Sequence, residues 1–175
     1  DDAALNAALS LNKTVPNDGA YIGYVNWVSK GLEEPLTTHA DRFKFNQGYG
    51  TSSYDKGSIF LSQLGYIIGE KNLYKTLQLY FKTWAFKHPR PYDFIRCAEK
   101  VSGLELDWYL MGWAQTTKQI DYQINSIIGE GPKTKVVLKR EKQMPMPIDV
   151  LVRLKNGTSQ LYNIPLTMMR GHRPL

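Results

Sequence analysis

A tyrosine beside a lysine and a run of small residues is the first feature of this chain with chemical potential. In Tyr49-Gly50-Thr51-Ser52-Ser53-Tyr54-Asp55-Lys56-Gly57 a small-residue stretch runs into an apolar helix, with Tyr54 in the predicted first turn. A neutral phenol, with a pKa of about 10, is a hydrogen-bond donor at pH 7. Such a donor can stabilise the oxyanion of a tetrahedral intermediate in peptide hydrolysis. A tyrosine at a helix start also serves as packing, because most of its ring is apolar area. The residue alone leaves both readings open.

Other chemistries find less support. A catalytic zinc takes three protein ligands, usually histidines and a carboxylate. The histidines His39, His88 and His172 lie far apart, and no His-Glu-x-x-His sets two imidazoles on one helix turn. No metal ligand in this chain is therefore expected. Cys97 is the single cysteine, so no internal disulfide can form; its apolar neighbours at helical spacing predict a buried structural thiol. No Gly-x-Ser-x-Gly elbow occurs. Arg90 and Arg96 are read as solvated or ion-paired rather than as carboxylate ligands, and the four tryptophans as packing. The formal net charge of +6 comes from lysines scattered over helix and strand positions, so no nucleic-acid partner is expected. No stretch is apolar enough to span a membrane as a helix.

The elements that must position Tyr54 follow from hydrophobic periodicity. Residues 1–13 read as helix, and Asn17-Asp18-Gly19 as a turn. A helix over 20–30 ends at Gly31, and 33–46 reads as a long loop. The central helix is predicted over 53–68, with Ser52 as N-cap and Asp55 in the first turn. Gly69 ends it. A second helix spans 71–85, with Leu73, Leu77, Tyr80, Phe81 and Trp84 on one face. After His88-Pro89-Arg90-Pro91 a third helix covers 92–101 and closes at Gly103. A short helix carries Leu106 to Trp113. The period then changes to alternation. Ile120, Tyr122, Ile124 and Ile128 mark a strand, 135–140 another, and 148–154 and 159–164 a hairpin about Asn156-Gly157.

These periods predict an α+β fold by segregation. An all-α helical lobe, 1–116, precedes an antiparallel β part, 117–175, of four to five strands. The β part reads as an incomplete β-sandwich domain whose last strands are expected to be missing. An exposed apolar patch is expected where an absent part of the protein would pack.

The order of motifs from Tyr54 onward resembles the gluzincin zinc aminopeptidases, the aminopeptidase N and leukotriene hydrolase family. The pieces are Tyr54-x-Lys56-Gly57, an apolar helix, Ile68-Gly69-Glu70, Leu73-Tyr74-Lys75, the aromatic run Tyr80-Phe81 to Phe86, Ser102-Gly103, and Leu106-Asp107-Trp108 through Trp113. The likeness covers roughly residues 35–125, and the succeeding strands agree with the small β-sandwich that follows the catalytic domain in many members.

The resemblance implies that Tyr54 takes the place of the transition-state-stabilising tyrosine and Tyr49 that of a second active-site tyrosine. Lys56 and Gly57 are expected to take structural roles, with Lys56 bridging to a neighbouring carboxylate. The family's His-Glu-x-x-His, downstream glutamate ligand, general base and Gly-x-Met-Glu-Asn motif are absent from this sequence; in the family they lie upstream. The implied protein is thus a C-terminal part of a zinc metallopeptidase. Zinc, a peptide substrate and an N-terminal catalytic half would belong to the intact parent, and this part alone would be inactive. A non-catalytic protein-interaction module of the same architecture stands as the alternative.

Overall fold

The computed structural model describes residues 17–169 and divides at Thr116/Thr117 into two compact units. Helices fill the first and strands the second, so the architecture is α+β with the two kinds of structure segregated along the chain. Residues 1–13, read as helix, and His172 lie outside the described residues.

In the first unit, helix α1 spans Asp18–Ser29. Asn17 precedes it with left-handed backbone, φ 69°, which asparagine tolerates better than most residues. The expected Asn17-Asp18-Gly19 turn therefore reduces to Asn17 alone, since Asp18 and Gly19 already belong to the helix. Gly31, at φ +68°, ends α1 as the sequence suggests. A single 3-10 turn, Ala40–Arg42, interrupts the loop that follows.

One long helical path then runs through α2 (Asn46–Gly50), a π turn (Thr51–Lys56) and α3 (Gly57–Ile68). Gly69 turns the chain into α4 (Glu70–Trp84) within one residue. Its φ of 84° suits glycine, and its carbonyl accepts from both Asn72 and Leu73 N–H at 3.0 Å. On α4 the inward row is Leu73, Thr76, Tyr80 and Trp84, whereas Leu77 and Phe81 face outward. The apolar face predicted for this helix was thus too wide. Thr76 holds a core position because its hydroxyl returns to the Asn72 carbonyl at 2.8 Å, which removes the cost of burying it.

Helix α5 (Pro91–Ser102) opens with proline at its first position, where no N–H is needed. The Asp93 carboxylate accepts from Arg90 N–H at 2.7 Å, and Gly103, at φ 73°, closes the helix. Tyr80 and Phe94 lock α5 to α4 edge-to-face at 5.2 Å. Helix α6 (Asp107–Ala114) supplies the centre of the core. Its Tyr109 is fully buried; the hydroxyl donates to the Phe60 carbonyl at 2.6 Å, and the ring packs on Phe60 at 4.9 Å. Trp108 and Trp113 flank it.

The second unit holds two antiparallel pairs, β1 (Tyr122–Glu130) with β2 (Lys133–Arg140) and β3 (Ile148–Arg153) with β4 (Ser159–Ile164). A bulge between Ile124 and Ser126 breaks the even spacing read along β1. Beyond it the pairing shifts by one, so Ile124 and Ile127, opposite Leu138 and Val136, share a face that Ile128 does not. The β3–β4 loop is three residues long, Lys155 to Gly157, rather than a two-residue Asn-Gly turn. Leu154 N–H donates to the Thr158 carbonyl at 2.8 Å, and Gly157 takes the left-handed position at φ 86°. Among the described residues of this unit, Met144 and Met146, in the chain segment that joins β2 to β3, are the buried side chains. Among the described residues no helix is long and apolar enough to cross a membrane.

Tyr109→Phe keeps the core ring and removes only its bond to Phe60. It should cost about 1 kcal/mol in denaturant unfolding of the protein. An unchanged midpoint and slope would mean that this hydroxyl adds nothing to the core.

Candidate active site

The path from Asn46 to Ile68 carries every residue the sequence nominates for chemistry. It does not begin at Ser53. Gly48, which falls between the predicted loop and the predicted helix, is a helical contact. A Cβ there would lie 3.2 Å from the Trp27 ring and 3.4 Å from a Glu34 carboxylate oxygen. Ser52 is not an N-cap but a buried residue inside the π turn, its hydroxyl aimed at the Glu34 carbonyl at 3.5 Å. Asp55 therefore faces no helix N-terminus; it lies over α1, where a Cβ on Gly23 would come within 2.5 Å of its Oδ2. Gly23 on α1 and Gly48 on α2 are thus small where Asp55 and Trp27 come close.

A π turn closes i→i+5 and is uncommon; single π turns within α-helices recur at functional sites. This one is gripped at its last residue. Lys56 is 2% exposed. Its Nζ donates to Glu33 Oε1 at 2.7 Å and to the Thr116 carbonyl at 3.2 Å, and it lies 5.9 Å from the centre of the Tyr24 ring. Tyr24 donates its hydroxyl to the same Glu33 oxygen at 2.8 Å. Burial, then the Glu33 charge and the hydrogen bond to it, hold the Tyr24 phenol far above its ordinary range. Glu33 Oε2 is buried without a hydrogen-bond partner among the described residues.

Two residues before this anchor, Tyr54 is 76% exposed, and no described residue bonds its hydroxyl. The turn thus sends Lys56 into the protein and Tyr54 out of it. Tyr49 is also exposed, with its ring edge-on to Phe43 at 5.6 Å. Tyr49 stands in α2 and Tyr54 in the π turn, five residues apart along one helical path. Both phenols are exposed, and a phenol hydroxyl can donate a hydrogen bond.

No other described group competes for catalysis. The His39 ring accepts from Asp41 N–H at 3.3 Å in a local turn, and among the described residues no three His, Cys, Asp or Glu side chains gather into a metal-holding group. These residues do not fit a zinc ion. The Cys97 thiol is buried, and burial raises its pKa, which disfavours the nucleophilic thiolate. Arg96 lies over the Tyr92 ring at 4.6 Å.

Residues 26–113 match the peptidase family M1 domain. The chain belongs to peptidase family M1. The match begins inside α1 and ends inside α6, so the M1 segment takes in Glu33, Tyr49, Tyr54 and Lys56. Aminopeptidase N of Streptomyces lividans is 36% identical over 64 residues, which are 37% of this chain and 8% of that protein. The match thus spans a small part of that relative's length. Membership agrees with the family likeness read from the ordered motifs. What that reading lacked was the partner of Lys56. Its signal was present: Lys56 precedes the buried Ile59 by three residues, on the inward stripe, where a lysine requires a carboxylate.

The raised phenols of Tyr24 and Tyr109 set an alkaline limit. Unfolded tyrosine titrates near pH 10. Above that pH the unfolded chain has lost protons that the native state keeps. The stabilisation is therefore complete below about pH 10 and is lost as pH climbs toward the folded-state values, at about 1.4 kcal/mol per pH unit for each tyrosine. Tyr24→Phe should flatten the fall in stability above about pH 10 by one proton's worth. An unaltered slope, measured by denaturant unfolding at several pH values, would contradict the buried Tyr24–Glu33 contact.

Proposed function

We propose that this chain is a C-terminal part of a zinc aminopeptidase of family M1. In this reading the helical unit belongs to the catalytic domain, where it walls the substrate cleft, and the strands begin a β-sandwich domain. Tyr54 donates its phenol to the oxyanion formed as a peptide carbonyl is attacked. Tyr49, exposed five residues earlier on the same helical path, assists in holding the substrate. The observation that carries the reading is the pairing of an outward, unbonded Tyr54 with a fully buried anchor two residues later, inside the M1 segment.

The chemistry divides accordingly. Oxyanion stabilisation needs a donor fixed before the reaction, so that no reorganisation is required as charge develops. Tyr54 supplies the donor, and the gripped turn supplies the fixation. Zinc ligands, the general base and the recognition of a peptide amino terminus fall to residues outside this chain, so the chain alone is inactive. The outward aromatic row on α4, Tyr74 and Phe81, is an apolar face of the kind that the rest of a catalytic domain covers. The same face would serve a non-catalytic interaction module. A full-length protein without a His-Glu-x-x-His segment would decide for that alternative.

In the full-length protein, Tyr54→Phe should lower kcat about a hundred- to a thousandfold, as loss of an oxyanion donor does elsewhere. KM and the thermal midpoint should hardly change, because the ring is exposed and its hydroxyl bonds no described residue. Wild-type turnover on an aminoacyl substrate would remove Tyr54 from the mechanism.

A further inference from the structure

We propose that Lys56 and Glu33 are positioning residues for Tyr54, and that the pair serves turnover rather than stability. The proposal rests on the reading of Tyr54 above. Lys56 is the last residue of the π turn, and its ammonium reaches both Glu33, just past α1, and the Thr116 carbonyl, just past α6. Tyr24 on α1 fixes the same Glu33 oxygen. Three separate parts of the unit thus meet at the nitrogen that ends the turn. The Tyr54 side chain, by contrast, has no hydrogen bond to any described residue, so its location depends on the backbone beneath it.

Stability is a poor explanation for the pair. A buried ion pair roughly breaks even against apolar side chains of the same size, because both charges lose their water. This one is also incompletely satisfied, since Glu33 Oε2 is buried without a partner among the described residues. A strained or uncommon backbone state persists only where its surroundings over-determine it. The π turn is such a state, and the Lys56 clamp is what over-determines it. A displacement of Tyr54 on the ångström scale, with the fold intact, is enough to cost about a hundredfold in rate.

The test uses the full-length protein with five variants: Tyr54→Phe, Lys56→Met, Glu33→Gln/Lys56→Met, and each of the last two combined with Tyr54→Phe. Lys56→Met leaves Glu33 buried and unpaired, so it should lower both the thermal midpoint and kcat. The charge-free double variant should recover most of the midpoint while kcat stays about 10- to 100-fold down with KM little changed. In the Tyr54→Phe background the same substitutions should cost almost nothing further in kcat, because a residue acting through Tyr54 has nothing left to position. Recovery of kcat together with the midpoint would overturn the proposal. So would an undiminished kcat loss in the Tyr54→Phe background, which would leave the earlier reading of Tyr54 standing. Wild-type kcat in Tyr54→Phe itself would remove both. Should the double variant fail to fold, Glu33→Asp keeps both charges and draws the carboxylate back by one methylene. It should then lower kcat severalfold only when Tyr54 is present, and an equal loss with and without Tyr54 would overturn the proposal.

Discussion

A lysine ammonium held away from water needs a carboxylate, and that requirement organises the helical unit. Lys56 meets it with Glu33 at 2.7 Å. To deliver that carboxylate, the segment after α1 must return across the central helix. To deliver the Thr116 carbonyl, α6 must end close by. Neighbouring contacts hold the same two strands of chain together: Thr37 donates through its N–H and its hydroxyl to the Ala114 carbonyl, at 3.0 and 3.2 Å. The aromatic core around Tyr109 then fixes α6 against α3. The cost of desolvating two charges and the gain from pairing them nearly cancel, so what the pair contributes is geometry.

The consequence for the surface is a division of labour within one turn. The inward side is specified by charge, hydrogen bonds and bare glycine contacts at Gly23 and Gly48. The outward side carries Tyr54 and Tyr49 with few constraints of their own. An exposed phenol on a mobile backbone would spend most of its time misplaced. On a turn tied to three parts of the fold it keeps its direction, and direction is what an oxyanion donor requires.

Much of this was legible in the sequence. The helical periods, Gly31, Gly69 and Gly103 as stops, and the switch to alternation after residue 116 follow from local rules, because those residues act through their own backbone and nearest neighbours. The β1 bulge and the three-residue β3–β4 loop were not legible, since alternation and an Asn-Gly pair look alike with and without them. The start of the central helix was misread for a tertiary reason. Gly48 and Ser52 have loop-like propensity, and only their contacts with Trp27 and with Glu34 show why a helix uses small residues there. Tyr54 and Lys56 were visible as types in a family pattern. Their opposite exposures were not, because a π turn changes the direction of each side chain and leaves no periodic mark six residues long.

The claim at the centre is that the Lys56–Glu33 pair holds the widened turn. A crystal structure of Lys56→Met in the full-length protein tests it most directly. The account predicts that the segment Thr51–Lys56 relaxes toward ordinary α-helical bonding or takes more than one conformation, with Tyr54 displaced. An unaltered π turn with Tyr54 in the same place would contradict it.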